Sequence, residues 1–118
     1  MLVKNSETDD TENDAEKIQE KLQEIKDREG IIGYILRSTK SASIDLKDPT
    51  KIIEYAILSS TAFDVGHDMT EALQMGEVDT IVLQSEETKL MSMNINNHRL
   101  SIFMEKSVDH DKLYKSLK

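Results

Sequence analysis

The run Ile31-Ile32-Gly33-Tyr34-Ile35-Leu36 constrains this chain more than any other stretch. It is apolar on both alternating faces, so a strand built from it has no side to give to water. It must be a central strand covered on both sides, or one buried by a partner. At 118 residues and 13.5 kDa the chain can close one hydrophobic core but not two. One sheet with helices laid on it is the expected solution.

The elements around that strand are readable from spacing. Asn13 and Glu16 have the separation of a capping pair, and Ile18, Leu22 and Ile25 recur at helical intervals, predicting a first helix that ends near Gly30. After the central strand, Ser38-Thr39-Lys40-Ser41 is a polar connection short enough for a hairpin. Ala42, Ile44 and Leu46 then alternate with Ser43 and Asp45, as in a half-exposed strand. Asp48-Pro49 is a strong helix start, because the acid can cap free N–H groups and proline's fixed φ suits a first turn. The helix it opens is expected to run to about Gly76, with Ile52, Tyr55, Ala56, Ser59, Phe63, Gly66, Met69 and Leu73 along one side. Ile53 and Ile57 fall on the otherwise polar side, more apolar surface than one sheet face can cover. A meander follows: Val78 to Gln84, Leu90 to Ile95 and Arg99 to Glu105, turning at Glu86-Glu87 and Asn96-Asn97. A short helix, Asp109 to Leu117, closes the pattern with Leu113 and Leu117 on one side.

Charge and composition narrow the function. The formal net charge is -8, against a nucleic-acid role, since phosphate binding draws on clustered Lys and Arg. Met1 to Asp14 holds five acids and one lysine, and from Asn5 to Asp14 there is no apolar residue to offset ordering entropy. Residues 1–13 are therefore read as a disordered acidic tail and 14–118 as the domain. The absence of cysteine removes disulfides, thiolate metal sites and cysteine nucleophiles, and is compatible with a reducing compartment. No apolar run approaches a membrane span and the N-terminus is acidic where a signal peptide would be basic, so a soluble, cytoplasmic protein with no membrane insertion is expected.

No residue set announces chemistry. His67, His98 and His110 are not paired at metal-binding spacing and read as surface histidines. Asp109-His110-Asp111 resembles an acid/base cluster, but acids at a helix N-terminus are favoured by the dipole alone. Ser59, Ser60 and Thr61 lack a nucleophile elbow and read as small packing residues. Gly30 and Gly33 precede and lie within a strand, so they are no dinucleotide fingerprint, and there is no phosphate loop. Met69, Met75, Met91, Met93 and Met104 would permit an adaptable surface, but read as core because three of them alternate with Ile and Leu on strands. No enzyme, cofactor or metal is expected.

The order helix, two strands, long helix, three strands, short helix resembles the Roadblock family, which includes dynein light chains and regulators of Ras-like GTPases. Glu29 to Leu36 carries most of the likeness, with the small-residue helix segment Ala56 to Ala62 and the stretch Met75-Gly76-Glu77 leading into Val78 to Leu83. An Asp-Gly turn expected after the first strand is replaced by Ser38 to Ser41. The resemblance implies an α+β fold: a five-stranded antiparallel sheet in the order β2-β1-β5-β4-β3, between the long helix and the terminal helices. It also implies a homodimer serving as scaffold or regulator of a Ras-like GTPase or a linked complex, with no catalytic residue of its own. In that layout the strand from Val78 lies at the sheet edge. With Ile81 and Leu83 on one face and Val78, Thr80 and Val82 on the other, it is an edge in need of a partner. The dimer interface is accordingly expected at Ile53, Ile57, Ser60, Val78, Thr80 and Val82. The alternative is a small-ligand-sensing α/β/α domain, against which stand few aromatics and no convergent polar set. An enzyme ranks third, since no titratable pair at catalytic spacing is seen.

Overall fold

The computed structural model describes residues 16–38, 41–77, 79–95 and 97–117. The expected acidic tail, the capping Asn13, the turn residues Thr39, Lys40 and Asn96, and the interface residue Val78 lie outside them. A first helix, α1, occupies residues 16–26. Strands β1 (Ile31–Arg37) and β2 (Ala42–Leu46) follow, then a single 3-10 turn (Pro49–Lys51), α2 (Ile52–Ala72), β3 (Thr80–Gln84), β4 (Thr88–Ile95), β5 (His98–Glu105) and α3 (His110–Leu117). The sheet order is β2-β1-β5-β4-β3 with every neighbouring pair antiparallel. This is the order the resemblance implied.

The two faces of β1 are both used, for the reason its sequence dictates. Tyr34 and Leu36 stand opposite Ile102 and Leu100 of β5 and share a core with Met91, Met93 and Met104. Ile18, Leu22 and Ile25 of α1 and Leu113 and Leu117 of α3 cover that face. On the opposite face Ile35, Leu46, Leu90 and Phe103 form a smaller cluster under α2. Gly33 is obligatory here: a Cβ at this position would meet the Asp45 carbonyl oxygen and a Leu46 methyl at 2.4 Å, so β2 can cross only a bare backbone.

Three expectations move. The first helix ends at residue 26 rather than near Gly30, because a turn intervenes, closed by Arg28 N–H donating to the Ile25 carbonyl and by Gly30 at φ 88°. The long helix stops at Ala72 instead of Gly76, since Gln74 (φ 55°) and Gly76 (φ 88°) both leave helical backbone. His98 is buried rather than on the surface: it faces Ile95 and continues the inward row of Leu100, Ile102 and Met104. Met91, Met93 and Met104 are core as expected. Met69 and Met75 are exposed, because they lie beyond the part of α2 that the sheet supports. No described helix is long and apolar enough to cross a membrane.

Candidate protein-interaction surface

α2 is positioned by a small number of contacts between its N-terminal turn and Asp64, just past its middle. Asp48 accepts from the Thr50 N–H and caps the 3-10 turn, with Pro49 setting its first φ. The Tyr55 ring stacks on Phe103 of β5 with centroids 4.5 Å apart. Ser59 and Phe63 are the residues of α2 that are fully buried. Arg37 Nη1 donates to Ser60 Oγ at 2.8 Å, and the Arg99 guanidinium lies 4.0 Å above the Phe63 ring. Arg37 is the last residue of β1 and Arg99 the second of β5, so Phe63 marks the end of the sheet. Beyond it α2 overhangs, and the chain from Leu73 returns to Thr80 at that same end.

Most of the large apolar side chains the fold leaves exposed lie on α2, on the chain just after it and on the edge strand β3. Val65, Met69, Leu73 and Met75 are 51 to 69% exposed, and Leu58 is 56% exposed on the same helix. Leu83 of β3 is 51% exposed at the other end of that strand, beside Leu58 and Tyr55 of the first half of α2. Ile32, Tyr55, Leu58, Leu83, Leu90 and Phe103 line a groove of about 290 Å³ between α2 and the β3–β4 edge. Isolated apolar side chains on a surface are unremarkable, whereas a continuous set along one helix and one strand edge marks an interaction site.

The expected interface residues divide over this geometry. Ile53 and Ile57 are 74% and 60% exposed, one turn apart on the flank of α2 that carries Ser60 toward β1. The Ser60 hydroxyl is held by Arg37. Thr80 and Val82 stand opposite Met93 and Met91 on the α3 side of β3, the sheet face away from α2. Between the two groups lie Leu58, Val65, Met69 and Leu83, which the sequence reading does not assign to the interface. The signal was present in Leu58 and Val65, apolar residues off the predicted buried stripe.

Electrostatics follows local hydrogen bonding. Hydrogen bonds from the Thr50 hydroxyl and N–H hold the Asp48 carboxyl below its ordinary value, and the Lys112 N–H, with that of Asp111, does the same for Asp109 at the start of α3. Lys26, bonded to Asp45 at 3.2 Å, is raised. Burial raises the Tyr34 hydroxyl, which donates to Gln19 and accepts from Gln23, fastening α1 to β1. Lys89, buried, lies 3.1 Å from His110 Nδ1, and the buried hydroxyls of Ser92 and Ser101 share a hydrogen bond of 2.7 Å. Among the described residues no buried side-chain polar atom lacks a partner, and no group of three His, Cys, Asp or Glu could hold a metal ion.

No family model matches this sequence, and no curated protein does either. Solved structures do match. A Roadblock/LC7 domain from Streptomyces avermitilis superposes with a TM-score of 0.66 over 84% of this chain and 83% of its own, at 16% identity. The gliding protein MglB from Thermus thermophilus gives a TM-score of 0.63 over 86% of this chain and 80% of its own, also at 16% identity. With the strand order, the helices on both faces and this likeness in agreement, the chain has the Roadblock/LC7 fold.

Proposed function

We propose that this chain is a cytoplasmic, non-enzymatic homodimer that scaffolds or regulates a Ras-like small GTPase or a GTPase-linked complex. The observation that carries the reading is the apolar set running along α2 and the β3 edge, on a fold whose family resemblance implies regulators of that kind. In the dimer the β3 strands of two copies pair edge to edge. Each α2 then turns its β3-side flank, with Leu58 and Val65, toward the other. The edge is short, bears apolar side chains on both faces and has no charged residue from Thr80 to Gln84 to discourage pairing. A co-purification of the protein with small GTPases, each loaded with GDP or a GTP analogue, tests the reading. Retention of at least one of them is expected, and failure with the full set of the source organism would assign the partner to another class.

The apolar groove favours a second reading, in which a small molecule is held between α2 and the sheet. Native mass spectrometry of purified protein distinguishes the two. A retained adduct lost on Leu58→Glu supports the sensor, and masses of the bare chain or its dimer support the scaffold.

A further inference from the structure

The sheet has a second open edge, at the end opposite β3. β2 is the last strand in the order β2-β1-β5-β4-β3, and no described strand lies beyond it. Its pairing with β1 fixes which backbone groups face outward. The Lys47 N–H donates to the Ile32 carbonyl, and the register then sets Asp45 opposite Tyr34 and Ser43 opposite Leu36, so every second residue of β2 bonds inward. The Asp45 carbonyl oxygen, which a Cβ on Gly33 would meet, points the same way. The N–H and C=O groups of the residues between, Ala42, Ile44 and Leu46, are turned away from the sheet. β2 contains no lysine or proline, and its one charged residue, Asp45, is held by Lys26 at 3.2 Å. The strand itself therefore carries nothing that discourages a further strand from pairing with it.

Two features flank the place such a strand would take, one on each face of the sheet. On the α2 face Ile44, opposite Ile35, is exposed. Ile53 and Ile57, also exposed, stand on the flank of α2 that carries Ser60 to Arg37 of β1, away from the flank that bears Leu58 toward β3. On the other face a groove of about 480 Å³ is lined by Glu16, Gln19, Glu20 and Gln23 of α1 and by Ser43 of β2. Gln19 and Gln23 bond the Tyr34 hydroxyl, which lays this row of α1 alongside β1, and Lys26 at the end of the row is taken by Asp45. The described residues lining the groove thus include two carboxylates and no cation.

We infer that β2 accepts an extended segment of another protein as a further strand, one whose side chains alternate between lysine or arginine and valine-like residues. The outward backbone groups of Ala42, Ile44 and Leu46 supply the hydrogen bonds, and the pleat sorts the side chains. Those opposite Ile44 fall on the α2 face, toward Ile53 and Ile57. Those opposite Ser43 and Asp45 fall on the α1 face, where the Glu16 and Glu20 carboxylates select positive charge. A second copy of this chain is the poorer occupant, because two β2 edges paired about a two-fold axis would bring the Glu16 and Glu20 carboxylates of both copies to one seam. The inference stands apart from the GTPase reading and from the dimer through β3, which concern the opposite end of the sheet and are measured independently.

The test uses the full chain and a fluorescent synthetic peptide of about ten residues with lysine and valine in alternation. Binding is read by anisotropy. The peptide should bind, and a twin carrying glutamate for lysine should bind about tenfold more weakly or not at all. An added strand bonds to β2 through alternate residues only, so N-methylation of one alternate set of peptide nitrogens should abolish binding and methylation of the other set should leave it. Glu16→Gln/Glu20→Gln should weaken binding about tenfold. Glu86→Gln/Glu87→Gln, which removes the same charge at the distant β3–β4 turn, should leave it unchanged. Ile44→Pro removes an outward donor without touching a bond to β1 and should abolish binding, and the two methylated peptides ask the same question of the wild type if that variant does not fold. Equal binding of the two methylated peptides, or equal weakening by the two glutamine variants, overturns the proposal in favour of nonspecific attraction. Light scattering supplies the remaining outcome. A folded Ile44→Pro chain that is monomeric, while the wild type is dimeric and ignores the peptide, assigns the edge to a second copy and overturns it as well.

Discussion

Arg37 and Arg99 stand directly opposite each other on β1 and β5, and both side chains leave the sheet for the same helix. Arg37 takes the Ser60 hydroxyl, and Arg99 stacks over Phe63. Like charges across a ladder are unfavourable, so each guanidinium is useful only because α2 gives it somewhere else to go. Arg99→Ala should cost about 1 to 2 kcal/mol through the lost cation–π contact and the uncovered ring. Arg99→Lys should recover only part of it, since lysine cannot stack as a plane. Thermal unfolding gives the comparison, and Phe63→Leu combined with Arg99→Ala should be less than additive.

The two glycines most often treated alike in such a sequence should behave differently. Gly33→Ala drives a methyl into the β2 backbone and should cost about 3 kcal/mol or prevent folding altogether. Gly76→Ala meets nothing within 4 Å, and its penalty is confined to the left-handed backbone at φ 88°, about 1 to 2 kcal/mol. Urea unfolding of both variants checks the order. A Gly33→Ala chain as stable as wild type would mean that β2 does not cross there.

Ser92 and Ser101 are a closed pair under α2, each satisfying the other. Ser101→Ala alone orphans the Ser92 hydroxyl and should cost about 1 to 3 kcal/mol, while the double alanine variant should lie close to wild type. A double-mutant cycle by chemical unfolding measures the difference.

Acid sensitivity has an identified source. The carboxyls of Asp48 and Asp109 are depressed below 3.8 in the folded chain by hydrogen bonds they accept. A depressed folded value means that their contribution is complete above the unfolded value and lost as the pH falls through the lower, folded one. Urea midpoints should therefore decline below about pH 4, and Asp109→Asn should shallow that decline while nearly preserving stability at neutral pH, because asparagine caps as well as aspartate. At the other end Lys26, raised above 10.5 by Asp45, contributes below its folded value and loses that contribution as the pH rises through it. An acid limb unchanged in Asp109→Asn would place the sensitivity elsewhere.

The sheet is legible in the sequence because its signals are local. Ile31 to Leu36 demands cover on both faces, and the alternation of Met91, Met93 and Ile95 with that of Leu100, Ile102 and Met104 marks one side of the core from the residues alone. The order β2-β1-β5-β4-β3 comes from resemblance, because strand order depends on crossovers that periodicity does not record. His98 reads wrongly as a surface residue because a polar side chain at a strand start breaks no pattern, although it keeps the parity of Leu100. The surface is only half legible. A helical stripe shows which residues share a side, but not that Phe63 is where the sheet ends. Met69 and Leu73 therefore belong to the predicted buried row and stand in solvent.

Self-association is the prediction on which most of the functional reading depends. Leu58 and Leu83 approach the same groove from α2 and β3, and both are more than half exposed in the single chain. Each large aliphatic side chain fully buried at an interface contributes about 1.5 to 3 kcal/mol. A charge introduced there loses that contribution in both copies and adds an uncompensated desolvation cost. Wild type should therefore scatter light as a dimer at micromolar concentration, and Leu58→Glu or Leu83→Lys should shift it to monomer with little loss of thermal stability in the separate chain. Ile57→Glu discriminates between the two flanks of α2. It should leave the dimer intact if the helices meet through the flank bearing Leu58, and should split it if they meet through the flank bearing Ile53 and Ser60. A monomeric wild type removes the homodimer, and a dimer indifferent to all three substitutions keeps it while moving the interface away from α2 and β3.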